Sequence, residues 1–153
     1  IAQVMRLASN QVTLVGRHSD KLARAEAWGG ITTCLSSDLK ESKWADIVVE
    51  ATGRAEGFEQ AMTLARPRGI VVLKSTIALS KDINLAPVVI DELSIVGSRC
   101  GPFDKALAAL AAKEVEVESL VDARYPLVEG EKALNHAQRK GTLKVLLDMP
   151  ATY

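Results

Sequence analysis

With 153 residues, 48% hydrophobic and 25% charged, the chain has the composition of a soluble globular protein, one domain or one domain with an appendage. A formal net charge of zero without a basic run excludes the electrostatic footprint expected for nucleic acid or an anionic membrane surface. No apolar stretch approaches the roughly 20 residues needed to cross a bilayer. Cys34 and Cys100 have neither metal-ligand spacing nor a disulfide-rich setting, and read as free thiols of a reducing cytoplasm.

The first residues already read as mid-helix. Ile1, Val4, Met5 and Ala8 fall at i, i+3, i+4 and i+7, which predicts one buried helical face. No capping residue precedes them, so the chain reads as a fragment of a longer protein. Residues 12–15 predict a strand, and Ser19 an N-cap for a helix over 20–28 that Gly29-Gly30 ends. A short strand over 31–35 follows, then a polar loop over 36–43.

The segment 45–53, Ala-Asp-Ile-Val-Val-Glu-Ala-Thr-Gly, is central to the reading. Its β-branched run at 47–49 predicts a strand buried on both faces of a parallel sheet, ending in a Thr52-Gly53 turn. A helix over 56–65 should bury Phe58, Ala61, Met62 and Ala65. Residues 67–69 read as a tight turn, 70–73 as another buried strand, 83–85 as a short edge strand, and Pro87 as the first position of a helical turn. Residues 93–97 make a further strand. The remainder changes character: an alanine-rich helix over 103–113, an extended stretch over 115–127, a helix over 129–139 and a last strand over 143–149. The expectation is an α/β protein, a Rossmann-like doubly wound parallel sheet, with a C-terminal α+β tail.

In such sheets ligands bind at the carboxyl ends of the strands. An acidic residue at the end of the second strand selects NAD through the ribose 2′-hydroxyl, whereas a small residue followed by arginine admits a 2′-phosphate. Here that strand ends Gly16-Arg17, with Lys21 one turn on; solvated turn residues would give the same pattern. Thr52-Gly53, Lys74-Ser75-Thr76 and Gly97-Ser98-Arg99 close three strands on one rim, which favours a cleft over three plain loops. Lys144 belongs to a basic cluster over 139–144 that could meet a pyrophosphate or simply be solvated. Glu50, at the end of a buried strand, would have a raised pKa if desolvated; a structural carboxylate and an exposed strand end are the other readings. His18 and His136 lack metal partners at usable spacing, and no Ser-His-Asp set or carboxylate pair forms a catalytic constellation.

Five segments together resemble the medium-chain dehydrogenase/reductase superfamily, of the zinc-type alcohol dehydrogenase kind. They are Val-Thr-Leu-Val-Gly-Arg at 12–17, Val-Val-Glu-Ala-Thr-Gly at 48–53, Arg-Pro-Arg-Gly-Ile-Val-Val-Leu at 66–73, Gly-Ser-Arg at 97–99 and Gly-Thr-Leu-Lys-Val-Leu-Leu at 141–147. The resemblance implies a partial NAD(P)-binding Rossmann domain over 1–100 and a C-terminal segment over 101–153 that returns to a catalytic domain. It implies Gly16, Arg17 and Lys21 by the adenosine ribose, Thr52 and Gly53 beside the cofactor, and Lys74, Ser75, Thr76, Gly97 and Ser98 toward the nicotinamide half. Lys144 would lie near the pyrophosphate.

Arg17 and the missing acid at Gly16 predict NADP(H) in preference to NAD(H). The resemblance further implies an alcohol or carbonyl substrate in the intact enzyme and a homodimer joined along the edge near residues 83–97. Zinc would belong only to the catalytic domain. The first Rossmann strand, with its Gly-x-Gly-x-x-Gly turn, has no counterpart here. Its place is between the strands at 12–15 and 46–50, leaving two strand edges whose unpaired backbone groups cost on the order of 1–3 kcal/mol each if dry. A larger polypeptide, closure of the sheet over the gap, or a strand from another chain would each answer that cost. The leading expectation is therefore the cofactor-binding portion of an NAD(P)-dependent oxidoreductase; the alternative is an inactive stand-alone fragment that folds or dimerises without turnover.

Overall fold

The computed structural model describes residues 1–8, 11–40, 42–76 and 82–150. In chain order these form α1 (Ala2–Ala8), β1 (Thr13–Gly16), α2 (Ser19–Glu26), β2 (Thr32–Leu35), β3 (Ala45–Glu50), α3 (Ala55–Leu64) and β4 (Ala65–Leu73). There follow α4 (Ala86–Ile90), β5 (Ser94–Gly97), α5 (Phe103–Ala111), a 3-10 turn at Glu118–Leu120, β6 (Val121–Pro126), a second 3-10 turn at Leu127–Glu129, α6 (Gly130–Ala137) and β7 (Lys144–Asp148). Every strand pairing is parallel: β1 with β2, β3 with β4, β4 with β5, and β6 with β7. This is the α/β architecture that alternating apolar runs and amphipathic helices dictate.

The chain forms two compact units, residues 40–102 and residues 1–39 with 103–153. In the first, the sheet order is β3-β4-β5. Helix α3 lays Phe58, Ala61 and Met62 on this sheet, where they meet Ala65, Val71 and Leu93, with Val48, Leu73, Ile83, Val88 and Ile95 around them. Met62 and Val71 are the largest fully buried side chains.

In the second unit, Leu22, Ala25, Ile31 and Ala133 are buried. Polar side chains knit its segments. The buried Gln3 amide donates to Glu116 O and accepts from Glu116 N, both at 2.6 Å. Arg6 donates to the Trp28 and Gly29 carbonyls at 2.8 and 2.9 Å, closing the end of α2. Asp122 joins Arg24 at 2.8 Å to the Leu143 N–H at 2.5 Å.

Several expectations are corrected. Ile1, Val4 and Ala8 are exposed, and Gln3 is the buried residue of α1, because its amide finds a two-way backbone partner. Ser19 lies inside α2; His18 is the N-cap and makes no side-chain cap bond. Ile47 is 46% exposed, because β3 pairs on one side only and is the edge of its sheet. Residues 67–69 are no separate turn but a bulge within β4: the register jumps from Ala45–Ala65 to Ile47–Ile70, with Arg68 at φ 62°. Gly69 is required there, since a Cβ would lie 2.7 Å from Arg66 O. Residues 82–85 form no strand; Asn84 Oδ1 accepts the Ala86 N–H at 2.9 Å and starts α4, which carries Pro87 in its first turn. The extended stretch over 115–127 narrows to β6 after a 3-10 turn. Among the described residues β1 pairs with β2 and β3 with β4.

Candidate functional site

In the unit of residues 40–102, parallel pairing brings the carboxyl ends of β3, β4 and β5 side by side, with Glu50 opposite Leu73 and Leu73 opposite Gly97. The residues that leave these ends are Thr52 and Gly53, then Lys74, Ser75 and Thr76, then Gly97 and Ser98. The polar groups of Thr52, Gly53, Lys74, Ser75 and Ser98 form a hydrogen-bonded ledge. Gly53 turns at φ +70°, a conformation that side-chain-bearing residues rarely adopt. Its N–H donates to Ser75 Oγ at 2.7 Å, tying the β3 turn to the β4 turn. Lys74 Nζ donates to the Arg99 carbonyl at 2.6 Å and to Ser98 Oγ at 3.4 Å, tying β4 to β5. At Gly97 a Cβ would meet no heavy atom within 4 Å, so this edge of the ledge is open.

The centre of the ledge is Glu50, only 2% exposed. One carboxylate oxygen accepts from the Thr52 N–H at 2.5 Å, the Thr52 hydroxyl at 2.6 Å and the Gly53 N–H at 3.2 Å. The other accepts from the Ser75 hydroxyl at 2.6 Å. Burial pushes this carboxyl up, but the bonds from Ser75, Thr52 and Gly53 together outweigh it and hold the group below the ordinary glutamate range. The raised value that burial alone predicts is thus reversed. Sequence reasoning missed this role, although a signal was present: an acid two residues before a Thr-Gly turn can accept the N–H groups at i+2 and i+3. Gly57 was missed as well. A Cβ there would lie 2.0 Å from Thr52 Oγ and 3.1 Å from Glu50 Oε1, so only glycine lets α3 start this close to the turn.

In the other unit, β1 ends at Gly16, with Arg17 exposed and Lys21 half-buried in the first turns of α2. Gly16 has a packing reason of its own: a Cβ would meet Leu22 Cδ2 at 2.9 Å, so the helix seats Leu22 against the strand end. Lys144 opens β7 opposite Val121. Cys34 and Cys100 are free thiols. Among the described residues no group of three His, Cys, Asp or Glu side chains could hold a metal ion. None of the described helices is long and apolar enough to cross a membrane.

Residues 1–115 match the zinc-binding dehydrogenase family. The chain belongs to this family. It lies within the medium-chain dehydrogenase/reductase superfamily and corresponds to the C-terminal part of its members, about 45% of their length. A sorbitol dehydrogenase of Halalkalibacterium halodurans is 30% identical over 117 residues, 74% of this chain and 34% of that protein. Among solved structures, L-idonate 5-dehydrogenase from Escherichia coli superposes with a TM-score of 0.85 at 21% identity, over 95% of this chain and 45% of that one. A Sinorhizobium meliloti 1021 protein bound to NADP gives a TM-score of 0.84 at 25% identity, over 95% and 47%. The chain therefore spans about a third of the sorbitol dehydrogenase and just under half of the solved relatives.

Proposed function

We propose that this chain is the cofactor-binding portion of an NAD(P)-dependent alcohol dehydrogenase-like oxidoreductase. Membership of the zinc-binding dehydrogenase family supports this reading, as does the similarity to a protein that binds NADP. The nicotinamide cofactor supplies hydride exchange with an alcohol or carbonyl substrate. The chain's own residues bind and orient it: Gly16, Arg17 and Lys21 at the adenosine ribose, Lys144 near the pyrophosphate, Thr52 and Gly53 beside the cofactor, and Lys74, Ser75, Thr76, Gly97 and Ser98 toward its nicotinamide half.

The observation that carries the cofactor choice is the end of β1, where Gly16 is followed by an exposed Arg17 and no carboxylate. A guanidinium fork recognises a 2′-phosphate bidentately, so NADP(H) is preferred over NAD(H). Titrating NADPH and NADH into the protein tests this; tighter NADH binding would refute the preference. The described residues offer no set of three His, Cys, Asp or Glu side chains that fits zinc.

A second reading has its own support in the open edges of β1 and β3: an inactive stand-alone chain that folds or dimerises without turnover. Alcohol-dependent NADP reduction by the 153-residue protein would refute it. The first reading places the chain in the cytoplasm as part of a homodimer. The edge strand β5 and the exposed Val89, Ile90 and Val96 form the surface expected to meet the second copy. A monomeric mass in sedimentation would count against that assembly.

A further inference from the structure

We propose that Glu50 is a positioning residue that sets the hydrogen-bond polarity of the ledge, turning the hydroxyls of Thr52 and Ser75 inward so that both face a ligand as acceptors. The inference rests on reading this ledge as a cofactor wall. A carboxylate only accepts hydrogen bonds, so every group around it must donate. Both hydroxyl protons are consumed there, at 2.6 Å each. Ser75 Oγ also accepts from the Gly53 N–H at 2.7 Å, and Thr52 Oγ from the Arg54 N–H at 3.2 Å. One lone pair remains on each hydroxyl oxygen and no proton. These two hydroxyls therefore select donors on the ligand, such as carboxamide N–H or ribose hydroxyl groups, and disfavour bare phosphate oxygens where they face it.

The arrangement is fixed from two sides. Glu50 ends β3 and Ser75 follows β4, so the carboxylate ties neighbouring strand ends, while Gly57 keeps the first turn of α3 clear of it. A glutamine at this position makes a specific disturbance. Three donors converge on Oε1, so the new amide oxygen must stay there and its NH2 must face Ser75. Ser75 Oγ would then accept from that NH2, and its own proton would swing toward the ligand side.

The test compares the wild-type chain with Glu50→Gln and Ser75→Ala. The pH dependence of the Thr52 and Gly53 amide-proton shifts reports the carboxylate directly; NADPH and NADH titrations and melting temperatures accompany it. In the wild type both amides should move in one shared step below the ordinary glutamate range, and Glu50→Gln should abolish it. Glu50→Gln should bind the preferred cofactor about tenfold more weakly, the effect of one misdirected hydrogen bond. Ser75→Ala should keep the amide step, because the Oε1 bonds remain. Absence of the step in the wild type, its survival in Glu50→Gln, or unchanged cofactor affinity in a folded Glu50→Gln protein would each overturn the proposal. If the wild type binds neither cofactor, the cofactor reading fails, while the amide step still decides whether Glu50 organises the turn. Should Glu50→Gln not fold, the decision passes to the wild-type amide step and its retention in Ser75→Ala.

Discussion

Lys43 Nζ lies 2.6 Å from each carboxylate oxygen of Asp91, joining the loop before β3 to the end of α4. Asp91 is buried and also caps α4: its N–H donates to Pro87 O at 3.0 Å, and its carbonyl accepts the Arg68 N–H at 2.7 Å. The lysine is half exposed, so its attraction is screened from one side, whereas the carboxylate has given up most of its water. Removing the lysine alone should therefore cost more than an ordinary surface pair. We expect Lys43→Met to destabilise the protein by about 1–3 kcal/mol and Lys43→Arg by less. Urea unfolding measures this; a Lys43→Met midpoint equal to wild type would show that water solvates Asp91 adequately.

Gly57 sets two effects of opposite sign against each other. Within a helix, alanine is favoured over glycine by up to about 1 kcal/mol. At this position the added carbon would sit 2.0 Å from Thr52 Oγ, which must rotate away and give up its bond to Glu50. The lost bond to a buried carboxylate, about 1.5–3 kcal/mol, exceeds the propensity gain. Gly57→Ala is thus expected to lower the melting temperature and disturb the Thr52 and Gly53 amide signals. A stabilised Gly57→Ala protein would mean that the turn yields without penalty.

The parallel strands were legible because β-branched runs at 47–49 and 70–73 admit little else, and the buried face of α3 followed from its 3.6-residue spacing. The exposure of Ile47 on β3 was not legible, since it depends on whether a strand lies beyond it. Nor was Gln3, whose partner Glu116 is 113 positions away and invisible to any local pattern. At the ledge, the polar strand ends Thr52-Gly53 and Lys74-Ser75 could be read from composition alone. The direction of the Ser75 hydroxyl could not, because a carboxylate on the neighbouring strand imposes it.

Acid should weaken the fold through the same carboxylate. Glu50 has a lower pKa in the folded protein than in the unfolded chain, where it titrates near 4.5. Its contribution is therefore complete above that pH and is lost as pH falls through the lower folded value. Asp122 and Glu116 are shifted in the same direction, Asp122 by the Leu143 N–H and Arg24, Glu116 by bonds from Ser119, and add to the slope. Below about pH 4.5 the wild-type urea midpoint should drop more steeply than that of Glu50→Gln, which has no proton to take up at this site. Parallel profiles for the two proteins would assign the acid sensitivity to other groups.

Arg17 offers the most direct handle on cofactor choice. It stands exposed just beyond β1, while Gly16 is held small by Leu22 packing against the strand end. An acidic side chain at Gly16 would collide with Leu22, so the economical substitution is at Arg17. Losing a bidentate guanidinium–phosphate contact should cost on the order of 1.5–3 kcal/mol, roughly ten- to a hundredfold in affinity. The loss applies only to the cofactor that carries the 2′-phosphate. Arg17→Ala is expected to weaken NADPH by that factor and leave NADH within about twofold, with an unchanged melting temperature. Lys21→Ala, removing a point charge without the planar fork, should weaken NADPH less. Equal losses for both cofactors would place Arg17 on a group that they share, and no loss for either would return it to the role of a solvated turn residue.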